Sequence, residues 1–491
     1  MSLKLKHLYA SNHITNIGNM KKIPEWVTKH KVKGIAIEKR GSHYYASRVT
    51  SVWDSNKKRA QKKTLEYLGK ITPDGILPPR HKRALQLGGI LDAGHLVFLE
   101  RFTKTLAKPL EEVFPDDWQS ILAAATIKLC YREPFARMRL RYETSISKQF
   151  WPEAALNKNS LSHLLPRLGL QWAAQCDFFA HIAHEEKHMA IDLSHIFSES
   201  QNISWLEYGH NGDDIWRPQA GILLMWGTTT HRPGFLKLLL GAANSAQCLA
   251  NAVWESGLQD LIAVIDKGFW SPKNVTILED ANVHYAMALR RDLPMVHCAP
   301  HTQYKDFFQY RKHIQWWRTT EWEDKIIYYY LDKSLADEEE SAYLIRVEAG
   351  KATRRQYERL KHSFGTLAIL TDTGMTAQEV YELYKERRDV EYAFDTLQNT
   401  LGADVTWMRS REGMQGYLFI LFVSLHLYSQ VLDHLKRKKL LKQFSVQDIL
   451  TYLSKVCVVE VNGQLRLGEV TRQTKRVIDL LEVPITKRLG L

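Results

Sequence analysis

One stretch of this chain, residues 376–401, constrains both fold and chemistry more than any other. It begins with the pattern of a capping box, Thr376 to Glu379, in which a hydroxyl and a carboxylate satisfy free backbone N–H groups. Apolar residues then recur at helical spacing as far as Leu401, and Gly402 follows where a left-handed cap is common. The pattern predicts one amphipathic helix from Thr376 to Leu401.

Four polar side chains border the apolar stripe of this predicted helix. At about 100° per residue they fall within an arc of roughly 60°. They are Tyr384, Arg387, Glu391 and Gln398. Such a row suits phosphate chemistry, because a carboxylate can bind a metal ion and a guanidinium can hold phosphate oxygens. A surface helix with an ordinary i, i+4 ion pair would show the same row, so the rest of the chain must decide.

The net charge and composition of the chain indicate what kind of molecule it binds. The 491 residues carry a formal net charge of +13, which favours a polyanion, nucleic acid before an acidic membrane. Residues 1–20 lack the apolar core of a signal sequence, and the apolar run 417–431 is shorter than the ~20 residues of a membrane-spanning helix. The five cysteines have no paired spacing, which favours reduced thiols. We therefore expect a cytoplasmic, nucleoid-associated protein that binds DNA and no membrane.

The pattern of apolar and polar residues changes several times along the chain, whose length exceeds that of a usual single domain. We predict six divisions: a basic β-rich N-terminal DNA-binding module (1–80), an α-helical region (81–186), the first part of an α/β domain (187–300), a β-rich insertion (301–372), the second part of that domain (373–435) and a C-terminal region (436–491).

A basic cluster follows the second predicted strand of the N-terminal module. Its members are Lys57, Lys58, Arg59, Lys62 and Lys63. A cluster of this kind is usually a solvated face, but the net charge of the whole chain makes contact with the DNA backbone equally plausible.

Two adjacent tryptophans, Trp316 and Trp317, lie between Arg311 and Arg318 in the predicted insertion. Interleaved cations and aromatic rings suit nucleic-acid binding, and one indole would stack on a displaced base. Tryptophans that fill the insertion's own small core would give the same pattern. The strands predicted around them are Ile326 to Leu331, Tyr343 to Glu348 and Leu367 to Thr371.

Two aspartates of the α/β segment lie on or just after predicted strands. Asp192 lies within the strand candidate Met189 to Phe197, and Asp266 directly follows the buried strand Leu261 to Ile265. Open α/β sheets place their ligand sites at such strand ends. With Glu391, the chain offers three carboxylates from three separate elements.

In these residues the sequence resembles the DDE transposases of bacterial insertion sequences. Asp192 in Ala-Ile-Asp-Leu-Ser resembles the first aspartate of that family, and Asp266 in Asp-Lys-Gly-Phe resembles the second. Glu391 resembles the third acid, which follows a β-rich insertion in the same order along the chain.

The surroundings of Glu391 resemble the branch of the family with a Tyr-Arg-Glu-Lys signature. In that signature two residues separate Tyr from Arg, three separate Arg from Glu, and six separate Glu from Lys. Tyr384, Arg387 and Glu391 match, whereas Gln398 stands in the place of the lysine. The segment 411–416 and the apolar helix predicted after it also fit this branch.

The resemblance implies an α/β RNase H-like catalytic domain that is interrupted by the β-rich insertion and preceded by the basic module and the α-helical region. It implies a DNA transposase that binds terminal inverted repeats and target DNA, cleaves and transfers strands in cut-and-paste transposition, and acts as a homodimer on paired ends. Asp192, Asp266 and Glu391 would bind two Mg²⁺ ions, for which Mn²⁺ can substitute. Tyr384 and Arg387 would hold the transposon end, with Gln398 at the lysine position.

Three other functions compete with this interpretation. An RNase H-like nuclease would cut DNA without joining it, and an inactive transposase-derived protein would only bind DNA. A zinc hydrolase would use His181, His184 and His188, whose spacing fits one helical face. Their sequence lacks the His-Glu-x-x-His order of such sites, so this third function is the weakest.

Overall fold

The structure, a computed structural model, describes ten segments of the chain: residues 23–55, 57–79, 87–200, 203–208, 216–239, 246–258, 260–296, 303–304, 306–403 and 405–490. The expectation for residues 1–20, the cysteine at 298 and the boundaries predicted near 80 and 300 lie outside these segments. Contacts divide the chain into two units, Met1–Leu87 with Val461–Gly463, and Gly88–Glu460 with Gln464–Leu491.

The first unit contains an antiparallel sheet of four strands and one short helix. Its elements are α1 (Glu25–Thr28), β1 (Ile35–Arg40), β2 (His43–Asp54), β3 (Arg59–Thr72) and β4 (Gly75–Leu77), with the strands in sequential order. A small core of Val27, Ala46 and Ile71 packs beneath the sheet. The β-rich character predicted for this segment is present, and β3 includes three members of the basic cluster, Arg59, Lys62 and Lys63.

The helices of the rest of the chain lie mainly before and after the central strands. They are α2 (Gly94–Val113), α3 (Trp118–Tyr131), α4 (Met138–Glu143), α5 (Ser147–Phe150), α6 (Lys158–Leu170), α7 (Trp172–Ala183), α8 (Ala246–Ser256), α9 (Pro272–Asp280), α10 (Lys333–Glu348), α11 (Arg354–Leu360), α12 (Ala377–Glu386), α13 (Arg388–Asp395), α14 (Arg411–Arg437), α15 (Val446–Leu453), α16 (Arg472–Leu481) and α17 (Ile485–Leu489). The helical periodicity predicted between residues 81 and 186 corresponds to α2 to α7.

The remaining strands form one large mixed sheet and one small sheet. They are β5 (Leu87–Asp92), β6 (His188–Ser198), β7 (Glu207–Tyr208), β8 (Pro218–Gly227), β9 (Arg232–Leu239), β10 (Ile262–Ile265), β11 (His284–Leu289), β12 (Asp306–Tyr310), β13 (His313–Trp322), β14 (Lys325–Asp332), β15 (Thr366–Thr371), β16 (Val405–Thr406), β17 (Cys457–Val461) and β18 (Gln464–Leu467). The large sheet has the order β12-β13-β14-β15-β11-β10-β6-β8-β7, with β9 paired to β8 and β16 to β6. The small sheet has the order β18-β17-β5.

The centre of the large sheet is parallel, and its flanks are antiparallel. Strands β6, β10 and β11 run in the same direction, while β8 and β15 run opposite to their neighbours β6 and β11. Most residues of β10 and β11 are buried, and those of β6 are buried or half-buried, as expected for strands covered on both faces. The carboxyl ends of β6 and β10 therefore open toward the same side of the molecule.

Helix α14 lies at the centre of the hydrophobic core. It packs against α2, α3, α6 and β9, and its residues from Gly413 to Leu427 are all buried. By length and composition alone it could cross a membrane, but 78% of its most apolar window is buried inside the protein. The apolar run 417–431 lies within this largely buried helix.

The strand predicted at Tyr343–Glu348 is wrong, because these residues form the last turns of α10. Asp332 caps this helix, since its carboxylate accepts hydrogen bonds from the backbone N–H groups of Ser334 and Leu335. The helix formers Ala, Leu and Glu that follow the cap continue the helix through the short β-branched run that suggested a strand. The predicted strands at 326–331 and 367–371 are present as β14 and β15, and β12 to β15 extend the large sheet.

The helix predicted from Thr376 to Leu401 begins and ends as expected but is not regular between those points. The capping box at Thr376 and Glu379 is present, and Gly402 has a left-handed φ of +67°. The turn at Arg387 is tightened, because its N–H donates to the Tyr384 carbonyl three residues back. A π-helical turn spans Thr396–Thr400 and ends the helix. Such turns insert an extra residue and rotate the side chains that follow.

Candidate active site

The two aspartates lie side by side because of strand register. Asp192 is the fifth residue of β6, and Asp266 directly follows β10. In the parallel pairing Ile265 lies opposite Ile191, so the residues that come next are neighbours across the sheet. Adjacent strands are ~4.8 Å apart, so Asp192, in the middle of β6, lies beside the carboxyl end of the shorter strand β10.

The helical segment α12–α13 crosses this strand end and adds a guanidinium and a third carboxylate. Arg387 Nη1 lies 3.0 Å from Asp192 Oδ2, and Arg387 Nη2 lies 3.5 Å from Asp266 Oδ1 and 2.8 Å from Glu391 Oε1. The structure therefore brings all three predicted acids to one arginine. The sequence indicated only the pair of Arg387 with Glu391, since the other two contacts depend on tertiary structure.

The four side chains differ in burial. Exposed fractions are 12% for Arg387, 20% for Asp192, 30% for Asp266 and 53% for Glu391. Burial raises the pKa of Asp192 to about 6, although Arg387 and the Leu193 backbone N–H act in the opposite direction. A buried carboxyl of this kind needs a cation beside it to remain ionised.

Tyr384 supports the second aspartate. Its hydroxyl donates a hydrogen bond of 3.3 Å to Asp266 Oδ1. Burial, followed by the neighbouring Asp266 charge, raises the pKa of Tyr384 to about 12, so the phenol keeps its proton and remains a donor. Tyr384, Arg387 and Glu391, each about one helical turn from the next, therefore all lie beside the two aspartates.

The donor set at this position fits a hard divalent cation. Carboxylate oxygens are the ligands that Mg²⁺ prefers, and Asp192, Asp266 and Glu391 supply them from two strands and a helix. Arg387 lies between these carboxylates and makes their closest charged contacts. Within the described segments, no group of three or more His, Cys, Asp or Glu side chains has the spacing of a metal site.

The three histidines of the zinc alternative do not share one face of a helix. His181 is in the last turn of α7 and His184 caps its end, whereas His188 begins β6. The change from helix to strand separates the side chains that the sequence spacing had placed together.

Gln398 lies farther along β6, beyond the acids. Its amide N–H₂ donates to Ser194 Oγ at 3.2 Å and to the His195 carbonyl at 2.8 Å. The position of Gln398 within the π-helical turn directs its side chain to this strand, whereas the predicted regular helix placed it in one row with Tyr384 and Arg387. Its role in DNA binding stays a prediction.

The basic cluster lies on the first unit. Lys57 and Lys58 are in the turn between β2 and β3, where Lys58 has a left-handed φ of +45°. Arg59, Lys62 and Lys63 follow in β3, and all five cations are exposed. Exposure is compatible with both of the interpretations that the sequence left open.

Trp316 and Trp317 are half-buried on opposite faces of β13. Trp316 packs on Phe307, with ring centroids 5.2 Å apart, and the Lys333 ammonium lies 4.2 Å from its ring centre. Trp317 packs edge-on against Tyr328 at 6.0 Å. Both indoles contribute to packing, and each keeps a partly accessible surface for a base.

One polar contact beside the site could not be predicted from the sequence. His231, in the turn between β8 and β9, has a left-handed φ of +54°, and its Nδ1 lies 3.0 Å from Asp389 Oδ2. Asp389 is two residues from Glu391, so this pair fixes α13 to the sheet. Asp389 raises the pKa of His231, while burial acts in the opposite direction.

The site lies inside a segment of the chain that matches a known protein family. Residues 183–427 match the transposase DDE domain family. Among solved structures, the piggyBac transposase synaptic complex with hairpin DNA is similar with a TM-score of 0.38 and 10% identity, over 82% of this chain and 84% of that one. The Mos1 transposase paired-end complex with the left transposon end is similar with a TM-score of 0.14 and 13% identity, over 37% and 57%. Curated protein sequences give no match.

The matched residues include β6, β10, α12 and α13, the elements that hold the three acids and Arg387. Fold and site together define a mixed α/β protein with a carboxylate site at the centre of a large mixed sheet. The chain belongs to the DDE transposase family, whose members carry out nucleotidyl transfer on DNA and generally use divalent metal ions.

Proposed function

We propose that this protein is the transposase of an insertion sequence, which binds terminal inverted repeats and moves its element by cut-and-paste cleavage and strand transfer. The observation that carries the proposal is the convergence of Asp192, Asp266 and Glu391 on Arg387, inside the segment that matches the transposase DDE domain. We further propose that it works in the cytoplasm as a homodimer on paired ends, with target DNA as its second substrate.

The proposal includes an RNase H-like arrangement of the catalytic domain. Support comes from the position of Asp192 on the central strand β6 and of Asp266 at the end of the adjacent parallel strand β10. The helix with Glu391 follows later in the chain and returns to the same strand ends. This arrangement matches the order of acids in the resemblance.

We propose Asp192, Asp266 and Glu391 as the residues that hold two Mg²⁺ ions, for which Mn²⁺ can substitute. When bound, such ions activate a water or a DNA 3′-hydroxyl and stabilise the leaving oxygen during displacement at phosphorus. Asp192 and Asp266 are fixed by strand register, and Tyr384 orients Asp266 through its hydrogen bond. Glu391 is the most exposed of the three.

Arg387 has two possible partners in this mechanism. It now makes ion-pair contacts with three carboxylates, and a guanidinium has the planar donors to hold a phosphate group instead. We propose that Arg387 leaves the carboxylates and binds a DNA phosphate when DNA is bound and other cations balance the charge of the three acids. Tyr384 remains with Asp266 during this exchange and preserves its orientation.

The test is replacement of each acid by its amide. Asp192→Asn, Asp266→Asn and Glu391→Gln should each abolish cleavage and joining of DNA with the element's ends, while binding to that DNA is retained. A double variant should be no slower than a single one, because the acids act as a unit. Glu382→Gln, on α12 and hydrogen-bonded to Gln378, is the matched control and should retain activity. Turnover at the wild-type rate in any of the three variants would refute the assignment.

The same assay separates the rival functions. Cleavage products without inserted products would identify a nuclease, and binding without cleavage would identify an inactive DNA-binding protein. Strand-transfer products that require the element's ends would support the transposase.

A further inference from the structure

We infer that a two-stranded β-ribbon of the first unit enters the major groove of duplex DNA, where one of its two faces contacts base edges. The ribbon consists of residues 49–54 of β2, residues 59–64 of β3 and the turn between them. The inference rests on the proposed function and deepens it, because it assigns sequence recognition to one face of this ribbon.

The ribbon extends beyond the rest of its sheet. Among the strands that the structure describes, β1 pairs with β2 only as far as Arg48, and β4 pairs with β3 only at residues 70–72. Pairing between β2 and β3 continues without interruption from Val49 to Asp54, about 17 Å at ~3.4 Å per residue. Two register shifts come just before Val49, and such bulges bend a strand and increase its twist.

Both faces of the ribbon are open to solvent. Exposed fractions are 47% for Val52 and 66% for Trp53, two neighbours whose side chains point to opposite faces. Two strands alone are at best marginally stable in water, so a partner that covers the ribbon would stabilise it. Residues 49–64 carry five cations and one acid, Asp54, and this charge favours a polyanion as the partner.

The dimensions of the ribbon fit one groove of DNA. The major groove of B-DNA is about 12 Å wide and admits a two-stranded β-ribbon, whereas the minor groove is about 6 Å wide. The turn at the tip carries Lys57 and Lys58, which are exposed and can reach phosphates at the rim of the groove.

Strand register determines which side chains share a face of the ribbon. Residues directly opposite each other in an antiparallel pair point to the same side. The first face therefore has the pairs Thr50–Lys63, Val52–Gln61 and Asp54–Arg59. The second face has the pairs Val49–Thr64, Ser51–Lys62 and Trp53–Ala60. The neighbouring cations Lys62 and Lys63 thus lie on opposite faces.

The first face has the side chains that base edges match in the major groove. Arginine and lysine bind the O6 and N7 atoms of guanine, glutamine binds adenine, and apolar groups contact the thymine methyl group. Arg59, Gln61 and Lys63 are alternate residues of β3, so neighbouring members are ~6.8 Å apart, about two base-pair steps. We assign this face to the base edges, and the second face to the side away from them.

The amide of Gln61 is held in position on the first face. Its Nε2 donates to Asp54 Oδ2 at 2.8 Å, and the Lys57 backbone N–H donates to Asp54 Oδ1 at 3.2 Å. The bond to Asp54 uses one of the two N–H donors of the amide. A side chain that is already oriented loses less conformational entropy when it binds, which favours Gln61 as a residue that reads a base.

The experiment selects bound DNA from a library of random duplexes with the full chain, in the absence of divalent ions. Fluorescence anisotropy then measures the affinity for the most enriched duplex and for a scrambled duplex of equal composition. The wild type should enrich one sequence. Gln61→Ala and Lys63→Ala should each reduce the ratio of the two affinities about 5- to 150-fold, because each removes a contact to a base edge.

Lys62→Ala is the matched control, since Lys62 is the adjacent cation on the opposite face. Any effect of this variant should be equal for the two duplexes, so the ratio of affinities should stay at the wild-type value. Methylation by dimethyl sulfate identifies the groove. The bound wild type should protect guanine N7, which faces the major groove, and leave adenine N3, which faces the minor groove, accessible.

Three results would overturn the inference: no enriched sequence with the wild type, a wild-type ratio in both Gln61→Ala and Lys63→Ala, or an equal fall of the ratio in Lys62→Ala and Lys63→Ala. A loss of discrimination in either first-face variant, with the ratio of Lys62→Ala unchanged, supports it. Protection of adenine N3 without guanine N7 would also overturn it, because the ribbon would then lie in the minor groove.

Failure of this inference is distinct from failure of the proposed function. If the acid variants keep wild-type turnover while the first-face variants lose discrimination, the catalytic assignment falls and the ribbon remains a reader of duplex DNA. If cleavage and joining require the acids but neither first-face variant changes the ratio, the proposed function stands and the inference falls.

Discussion

At the scale of single residues, Arg387 determines how much negative charge the carboxylate site can hold. With only 12% of its side chain exposed, it is the nearest cation to three carboxylates, and Asp192 is mostly buried. Arg387→Gln should therefore lower the free energy of unfolding, measured without divalent ions, by about 3 kcal/mol, most of it from Asp192 and Asp266. The half-exposed Glu391 contributes little to this loss.

The control for Arg387 is its exposed neighbour Arg388, and Arg388→Gln should leave the unfolding free energy within about 0.5 kcal/mol of the wild type. Adding Mg²⁺ should restore more stability to the Arg387 variant than to the wild type. Equal stability of the two glutamine variants would show that the acids need no counter-charge.

His95 gives a pH-dependent prediction. It is fully buried, both ring nitrogens are without a hydrogen-bond partner, and burial lowers its pKa to about 4. In the unfolded chain the imidazole gains a proton below pH ~6.5, so stability should fall as pH falls from there toward the folded pKa. His95→Phe removes this loss, and its stability advantage should grow by about 2 kcal/mol between about pH 7.5 and pH 5.

Thermal or urea unfolding at both pH values measures this difference. The exposed His163 is the control, since His163→Phe leaves the buried His95 imidazole in place. A His95 variant whose advantage stays constant with pH would contradict the account.

Single residues also show how much of the candidate site can be predicted from the sequence. Asp192, Asp266, Tyr384, Arg387 and Glu391 were all predicted as site residues, because strand ends and helical spacing are local patterns. The contact of Arg387 with both aspartates could not be predicted, because it depends on how α12 crosses β6 and β10. The His231–Asp389 link was missed for a similar reason, since a left-handed histidine in a turn has no signal in sequence.

At the scale of elements, the crossing of α6 and α14 depends on glycine. A side chain at Gly416 would overlap the carbonyl oxygen of Leu165, and one at Gly169 would overlap that of Glu412. The two backbones are therefore in direct contact, at the start of the helix that forms the centre of the core.

Gly416→Ala should destabilise the protein by about 3 kcal/mol, because the helices must move apart. Gly413, three residues earlier, is the matched control. A Cβ there would lie 3.2 Å from Ser410 Oγ, so Gly413→Ala should cost little and could gain from helix propensity. Chemical denaturation would measure both, and a Gly416 variant as stable as the Gly413 variant would contradict the close crossing.

Helices and strands could be predicted reliably where the apolar periodicity was long and a capping residue marked the start of the helix. The capping box at Thr376 and the left-handed Gly402 were predicted correctly, whereas the tightened turn at Arg387 and the π-helical turn at Thr396–Thr400 were not. Such irregularities arise from packing on β6, as the bonds of Gln398 to that strand show. Residues 343–348 contain a short β-branched run that favours a strand, but the cap at Asp332 begins a helix that continues through them.

At the scale of the whole molecule, the net charge of +13 predicts salt-sensitive binding to DNA. The double variant Lys57→Gln, Lys58→Gln should weaken binding and reduce the slope of log affinity against log salt by roughly 0.9 for each lost phosphate contact. Titration of one labelled duplex at several salt concentrations measures this slope.

Lys104 and Lys108 on α2 are exposed as well, with 70% and 81% of their side chains accessible, and their double glutamine variant is the control. It should retain the wild-type slope. An unchanged slope in the Lys57, Lys58 variant would show that the basic cluster is an ordinary solvated face.

The position of α14 late in the chain has a consequence for synthesis. Arg387 meets Asp192 across a sequence separation of 195 residues, and the helices α2, α3 and α6 bury their apolar faces on α14, which ends at Arg437. Contacts this distant in sequence form slowly, and chains fold from their N-terminus as they leave the ribosome. A nascent chain that ends before α14 has all three acids but not the core that supports them. Incomplete translation products should therefore lack an assembled carboxylate site.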